Sequence, residues 1–139
     1  MKYITRVQAL NIEDSTECCG DWHTSAMDWS KLDLAESDNS IFGDWGIEVD
    51  KQVPEHTEHY NVANTLIAIL DLMLNKYYVS YLKNFRNDFL CTDEYNQEFF
   101  EKVYKLKDKV DHWEDIRQLM NREFMWDWDK FIESKEHKQ

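Results

Sequence analysis

The sequence predicts a mainly α fold. A helical bundle of four to five helices should carry an irregular, partly β N-terminal segment packed on it, with α+β as the neighbouring class. Three observations predict it. All three glycines lie before residue 47, and the single proline is Pro54, so chain-turning residues crowd the front of the molecule. From Tyr60 onward, apolar residues recur at the three-and-four spacing of an amphipathic helix. Aromatic residues make up 14% of the 139, and each buried ring removes about 150–250 Å² from water, so rings alone can fill much of a core. One domain over 1–139 is expected: irregular with short strands over 1–53, helical over 54–134, and frayed over 135–139.

The front segment is weakly periodic. "KYITRVQALNI" and "WGIEV" are β-compatible, with Tyr3, Ile4 and Val7, and then Ile47 and Val49, facing a core. The acidic stretch "SKLDLAESDNS" between them reads as an exposed loop with a single helical turn. The tripeptide Gly-Asp-Trp occurs twice, as Gly20-Asp21-Trp22 and Gly43-Asp44-Trp45. Glycine permits a positive φ, the Asp carboxylate can lock the turn, and each indole then becomes a peg on the helices.

The central helix is read from "YNVANTLIAILDLMLNKYY", with Val62, Leu66, Ile69, Leu70 and Met73 on one face and little polar surface. Asn61 and Asn64 at its start would cap it or tie in a loop, with a ligand at the positive end as the sharper alternative. His56 and His59, beside Glu55 and Glu58, read as surface residues. A bend at Asn75-Lys76 leads to a second helix with Tyr78, Leu82, Phe85 and Phe89 inward. Thr92 or Asp93 should cap a third, with Tyr95, Phe99, Val103 and Leu106 inside. Asp111 and Glu114 form a capping box ahead of Trp113, Ile116 and Met120, and a last piece carries Phe124, Trp128 and Phe131.

Charge sets the partner class. The net charge is −12, and residues 1–50 hold eleven acids against Lys2, Arg6 and Lys31, a balance of −8. Direct nucleic-acid binding needs a basic patch and is not expected. A basic protein partner is, with Glu13, Asp14, Glu17, Asp33, Glu36 and Asp38 as the partner-binding acids. No apolar run opens the chain, and "LIAILDLML" is too short to span a bilayer, so no membrane association and a cytoplasmic location are expected. Three cysteines, two of them adjacent, make no disulfide framework and read as reduced thiols.

The candidates for chemistry cluster near the first Gly-Asp-Trp. Cys18, Cys19 and His23 are metal-ligand types, but adjacent cysteines fit one tetrahedral ion badly and no second pair follows; no cofactor is expected. A Cys–His hydrolase would need an electropositive thiol environment, whereas Glu13, Asp14, Glu17 and Asp21 make this one acidic. Three functions remain in order of preference. The first is a non-enzymatic, antitoxin-like inhibitor of a basic partner. The second is a DNA mimic whose carboxylates stand in for phosphates. The third is a small enzyme or ligand binder using Asp21, His23 and Asp44. Arg86 is expected to clamp Asp21 or Asp44 in a structural pair.

"GDWHTSAMDW", "SDNSIFGDWGIE", "YNVANTLIAILDL", "RNDFLC", "EKVYKLKD" and "WEDIRQLMNREF", in this order, resemble a group of small acidic bacterial proteins, mainly of Firmicutes. The likeness covers about residues 1–125 and implies no particular activity. It implies toxin–antitoxin or defence-related gene cassettes, which suits an acidic neutralising protein. "YYVSYLKN" departs from that pattern by its extra aromatics.

Overall fold

Lys2, Tyr3 and Ile4 form a strand, β1 (Lys2–Ile4), with Tyr3 and Ile4 fully buried. The computed structural model describes residues 1–16, 27–88, 90 and 92–136, and the chain divides into two compact units, Met1–Leu72 and Met73–Gln139. Seven helices and a four-stranded sheet among the described residues make this an α+β fold. The helical part of the expectation stands, and the partly β N-terminal segment contributes a four-stranded sheet.

In the first unit, β1 is followed by α1 (Arg6–Leu10), β2 (Leu34–Glu36), a 3-10 turn (Ser37–Asn39), β3 (Ile47–Gln52), β4 (His59–Ala63) and α2 (Thr65–Met73). The strand order is β2-β1-β4-β3. β1 pairs antiparallel with β2 and parallel with β4, and β3 pairs antiparallel with β4. Two expectations are corrected here. The acidic stretch taken for a loop supplies β2, because Lys2↔Glu36 and Ile4↔Leu34 pairing satisfies its backbone. The helix expected from Tyr60 starts at Thr65, since ladders with β1 and β3 hold His59–Ala63 extended. Asn64 marks the switch as helix N-cap: its Oδ1 accepts from the Ile67 amide at 3.0 Å, as the capping reading required. Every residue of α2 is buried, including Asp71.

The second unit holds α3 (Lys76–Val79), α4 (Phe85–Asp88), α5 (Asn96–Tyr104), α6 (Trp113–Phe124) and α7 (Trp126–Glu136). The helix expected through Tyr78 and Phe85 is broken into α3 and α4 by a turn in which Asn84 adopts φ 68°. Asn75 caps α3 by accepting from the Tyr77 amide at 2.8 Å, and Tyr78 points outward while Val79, Leu82 and Phe85 are buried. Neither Thr92 nor Asp93 caps α5, whose N-cap is Tyr95. The Asp111–Glu114 capping box does not form, because α6 begins one residue later than a box needs, with His112 as N-cap. His112 turns elsewhere, its Nε2–H donating to the Met73 carbonyl at 2.7 Å. α7 runs through Lys135 and Glu136, into the tail expected to fray.

The core of this unit is aromatic. Phe100 meets Phe124, Trp128 and Phe131 at ring-centroid distances of 4.8, 5.3 and 5.6 Å. The first two contacts are edge-on, the arrangement that ring quadrupoles favour. Arg86 finds its partners within its own unit. It lies 5.1 Å over the Phe124 ring, donates to the Glu123 carbonyl at 3.1 Å and pairs with Asp93 at 3.2 Å. Both partners come from turns of the same unit.

Candidate functional site

The β3–β4 pairing contains an irregularity. Glu48 pairs with Val62 and Lys51 with Tyr60, so Val49 and Asp50 together oppose the single residue Asn61. This is a β-bulge, and Asp50 accommodates it with φ 58°, a left-handed conformation that Asp tolerates better than most side chains. In a regular strand, consecutive side chains point to opposite faces. Here both are exposed, and Val49 keeps 60% of its surface in water. Val49 was expected to face the core; the bulge turns it out.

Those two residues line a groove of about 440 Å³ to which all four strands contribute. Leu34 of β2, 44% exposed, is a second apolar peg. Lys2, His59 and Asn61 supply polar lining. The His59 Nδ1–H donates to Asp50 at 3.0 Å, and Asn61 donates to the Lys2 carbonyl at 3.1 Å. The groove therefore combines two aliphatic side chains with a carboxylate–imidazole pair. Sequence reading missed it. The available signal was the pair of strand-like runs "IEVDKQ" and "HYNVA" flanking Pro54, a hairpin pattern with one residue too many.

The acids assigned to partner binding separate into different roles. Glu13 and Asp38 stand exposed. Asp33 is engaged by Arg6 in a two-pronged pair at 2.8 and 2.7 Å. Glu36 receives the terminal amine of Met1, whose hydrogen bond holds the carboxyl below its ordinary range. Asp14 is withdrawn from any outer face. It is buried and accepts from the amides of Thr16 (2.9 Å) and Thr65 and from both threonine hydroxyls, that of Thr65 at 2.9 Å. The Thr65 amide is one of the first in α2, so Asp14 closes that helix terminus from a distant loop. Glu17 lies outside the described residues.

Gly20, Asp21, Trp22, Cys18, Cys19 and His23 also lie outside the described residues. At the second Gly-Asp-Trp, Gly43 has φ 58°, but the turn is closed by backbone bonds: Trp45 donates to the Phe42 carbonyl and Ile47 to that of Asp44. Asp44 is exposed, and its charge acts on the nearby terminal amine. The carboxylate lock is thus replaced by main-chain bonds, and Trp45 is a half-buried peg. The glycine that matters most is Gly46. With φ 78°, it would place a Cβ 2.6 Å from Cγ1 of Ile67, and its carbonyl accepts from Asn64 at 2.7 Å.

Set against family models, curated proteins and solved structures, the chain matches none.

Two buried polar groups deserve their chemistry. Asp71, in the middle of α2, accepts from the Tyr3 hydroxyl at 2.7 Å and the Thr5 hydroxyl at 2.5 Å. Burial pushes its carboxyl pKa up, more than those two bonds pull it down. Burial and the neighbouring Asp71 likewise raise the Tyr3 hydroxyl, which stays protonated as a donor. His56, read as a surface residue, is half-buried: its Nε2–H donates to the Trp29 carbonyl at 2.6 Å, and Nδ1 lies 3.2 Å from the Tyr60 hydroxyl. Among the described residues, no three His, Cys, Asp or Glu side chains gather as a metal-binding set, and no helix is long and apolar enough to cross a membrane.

Proposed function

We propose that the protein is a non-enzymatic, antitoxin-like binding module whose Met1–Leu72 unit receives a basic protein partner at the four-strand groove. The observation that carries this reading is the outward placement of Val49 and Leu34 in that groove. Around them, residues 1–72 hold fourteen acids against Lys2, Arg6, Lys31 and Lys51, a balance of −10. Long-range attraction would speed the encounter of a cationic partner, and the aliphatic pegs, once desolvated, would supply the affinity. The resemblance to proteins of toxin–antitoxin cassettes supports the same partner class. A DNA mimic needs an array of free carboxylates. Of the six acids assigned, Asp14, Asp33 and Glu36 are committed to internal bonds, which argues against that alternative.

Capture from host lysate tests the proposal, with wild type, L34S/V49S and a charge variant of Asp38 and Glu13 as baits. A basic protein retained at low salt by wild type, released by salt and lost with L34S/V49S is the expected result. Recovery of no basic protein at low salt, or equal recovery on L34S/V49S, would refute it.

A further inference from the structure

α3 and the turn after it expose an aromatic cluster that the groove on the sheet does not explain. Tyr77 and Tyr81 are 63% and 54% exposed, and Leu74 and Tyr78 are exposed beside them in sequence. The Tyr77 ring lies 4.9 Å from that of Tyr81 and 5.6 Å from that of Tyr78. Three adjacent exposed tyrosines keep a large apolar area wet, while tyrosine is a residue enriched at protein interfaces.

The same short helix forms one wall of a groove of about 240 Å³ whose other wall is α6. Its charged lining is Lys76, Lys83 and Arg122 against one carboxylate, Asp115, which sits 3.8 Å from Lys76. Buried Val79 lies at its base, and Ser80 and Gln118 add polar groups. In a chain of net charge −12, this groove is a local excess of cations, and its residues Lys76, Val79, Ser80 and Lys83 alternate in sequence with the tyrosines.

We propose that the α3 face is a docking surface for an acidic, partly apolar segment of a protein partner. Carboxylates of that segment meet Lys83 and Arg122, and its apolar side chains pack on Tyr77 and Tyr81. Charge complementarity selects this occupant. A polyanionic nucleic acid would need more phosphate-neutralising side chains than three, one of which already faces Asp115. This lining shares no residue with the sheet groove and prefers the opposite charge, so the protein would bind two dissimilar segments.

The test uses the full chain and two labelled probes, a peptide alternating glutamate and leucine and a single-stranded oligothymidylate of equal charge, titrated at low salt by fluorescence anisotropy. The peptide should bind, release with salt, and bind about tenfold more weakly to Y77A/Y81A and to K83E/R122E, as expected for loss of interface anchors. L34S/V49S should bind it like wild type, which keeps this inference distinguishable from the function proposed above. Absence of peptide binding, tighter binding of the oligothymidylate, or peptide binding unchanged in both α3-face variants would each overturn the proposal. So would concentration-dependent self-association abolished by Y77A/Y81A, because the occupant would then be a second copy.

Discussion

Replacing Asp14 with alanine should unfold the Met1–Leu72 unit more readily than its position in an acidic loop suggests. The buried carboxylate accepts from four donors, two of them backbone amides, those of Thr16 and Thr65. The threonine hydroxyls can rotate toward other acceptors, but the two amides cannot. Each orphaned amide costs about 1–3 kcal/mol, and loss of an N-terminal cap alone costs about 0.5–2 kcal/mol. Because the two donors share one acceptor, their losses do not simply add, and about 3 kcal/mol is expected for Asp14→Ala. At about 3–4 °C per kcal/mol for a chain of this size, the melting midpoint should fall by about 10 °C. Asp14→Asn retains one carbonyl oxygen as acceptor and should lose about half as much. Urea titration followed by tryptophan fluorescence measures both, with exposed Glu13→Ala as the control, expected to stay within about 0.5 kcal/mol of wild type. If Asp14→Ala were no more costly than Glu13→Ala, the carboxylate would not be the helix-closing group described here.

Three further outcomes follow from other parts of the molecule. Gly46→Ala should destabilise by about 2–4 kcal/mol in urea, because a Cβ at φ 78° would press on Ile67, whereas Gly43→Ala, with open space around it, should cost about 1 kcal/mol. The Asp71 carboxyl is raised by burial above its ordinary 3.8, so its stabilising share is complete below that value and is lost as pH rises through the folded value. Asp71→Asn cannot ionise; the stability advantage of wild type over this variant should therefore be larger at about pH 3 than at about pH 7, and a gap that widens with pH would reverse the sign. Trp128→Phe removes a buried indole N–H that has no acceptor among the described residues and should stay within about 1.5 kcal/mol of wild type, while Phe124→Ala in the same cluster should cost about 3–5 kcal/mol by calorimetry.

The helical second unit was legible because its signals are local. Phe99, Val103 and Leu106, then Ile116, Met120 and Phe124, then Trp128 and Phe131 repeat at helical spacing, and all are buried. The sheet was harder to read, since its determinants are far apart. Nothing within His59–Ala63 distinguishes a strand from the first turn of the apolar helix that follows; β1 makes the difference, pairing Ile4 with Val62. The groove was hidden for a related reason. Val49 looks like a core residue in any two-residue alternation, and only the extra residue at Asp50 turns it outward. Likewise, Asp14 reads as one more surface acid unless Thr65 is known to lie against it.

The bonds that close the first unit join residues widely separated along the chain: 51 positions between Asp14 and Thr65, and 68 between Tyr3 and Asp71. An emerging polypeptide therefore holds β1 and the Asp14 loop without their partners until Thr65 and Asp71 have left the ribosome. In the second unit, Arg86 reaches Glu123 over 37 positions and α5 docks on α7 nearby, so its loops cost less entropy to close. The second unit should thus complete its structure sooner after its own synthesis, and the first would depend on chaperones for longer.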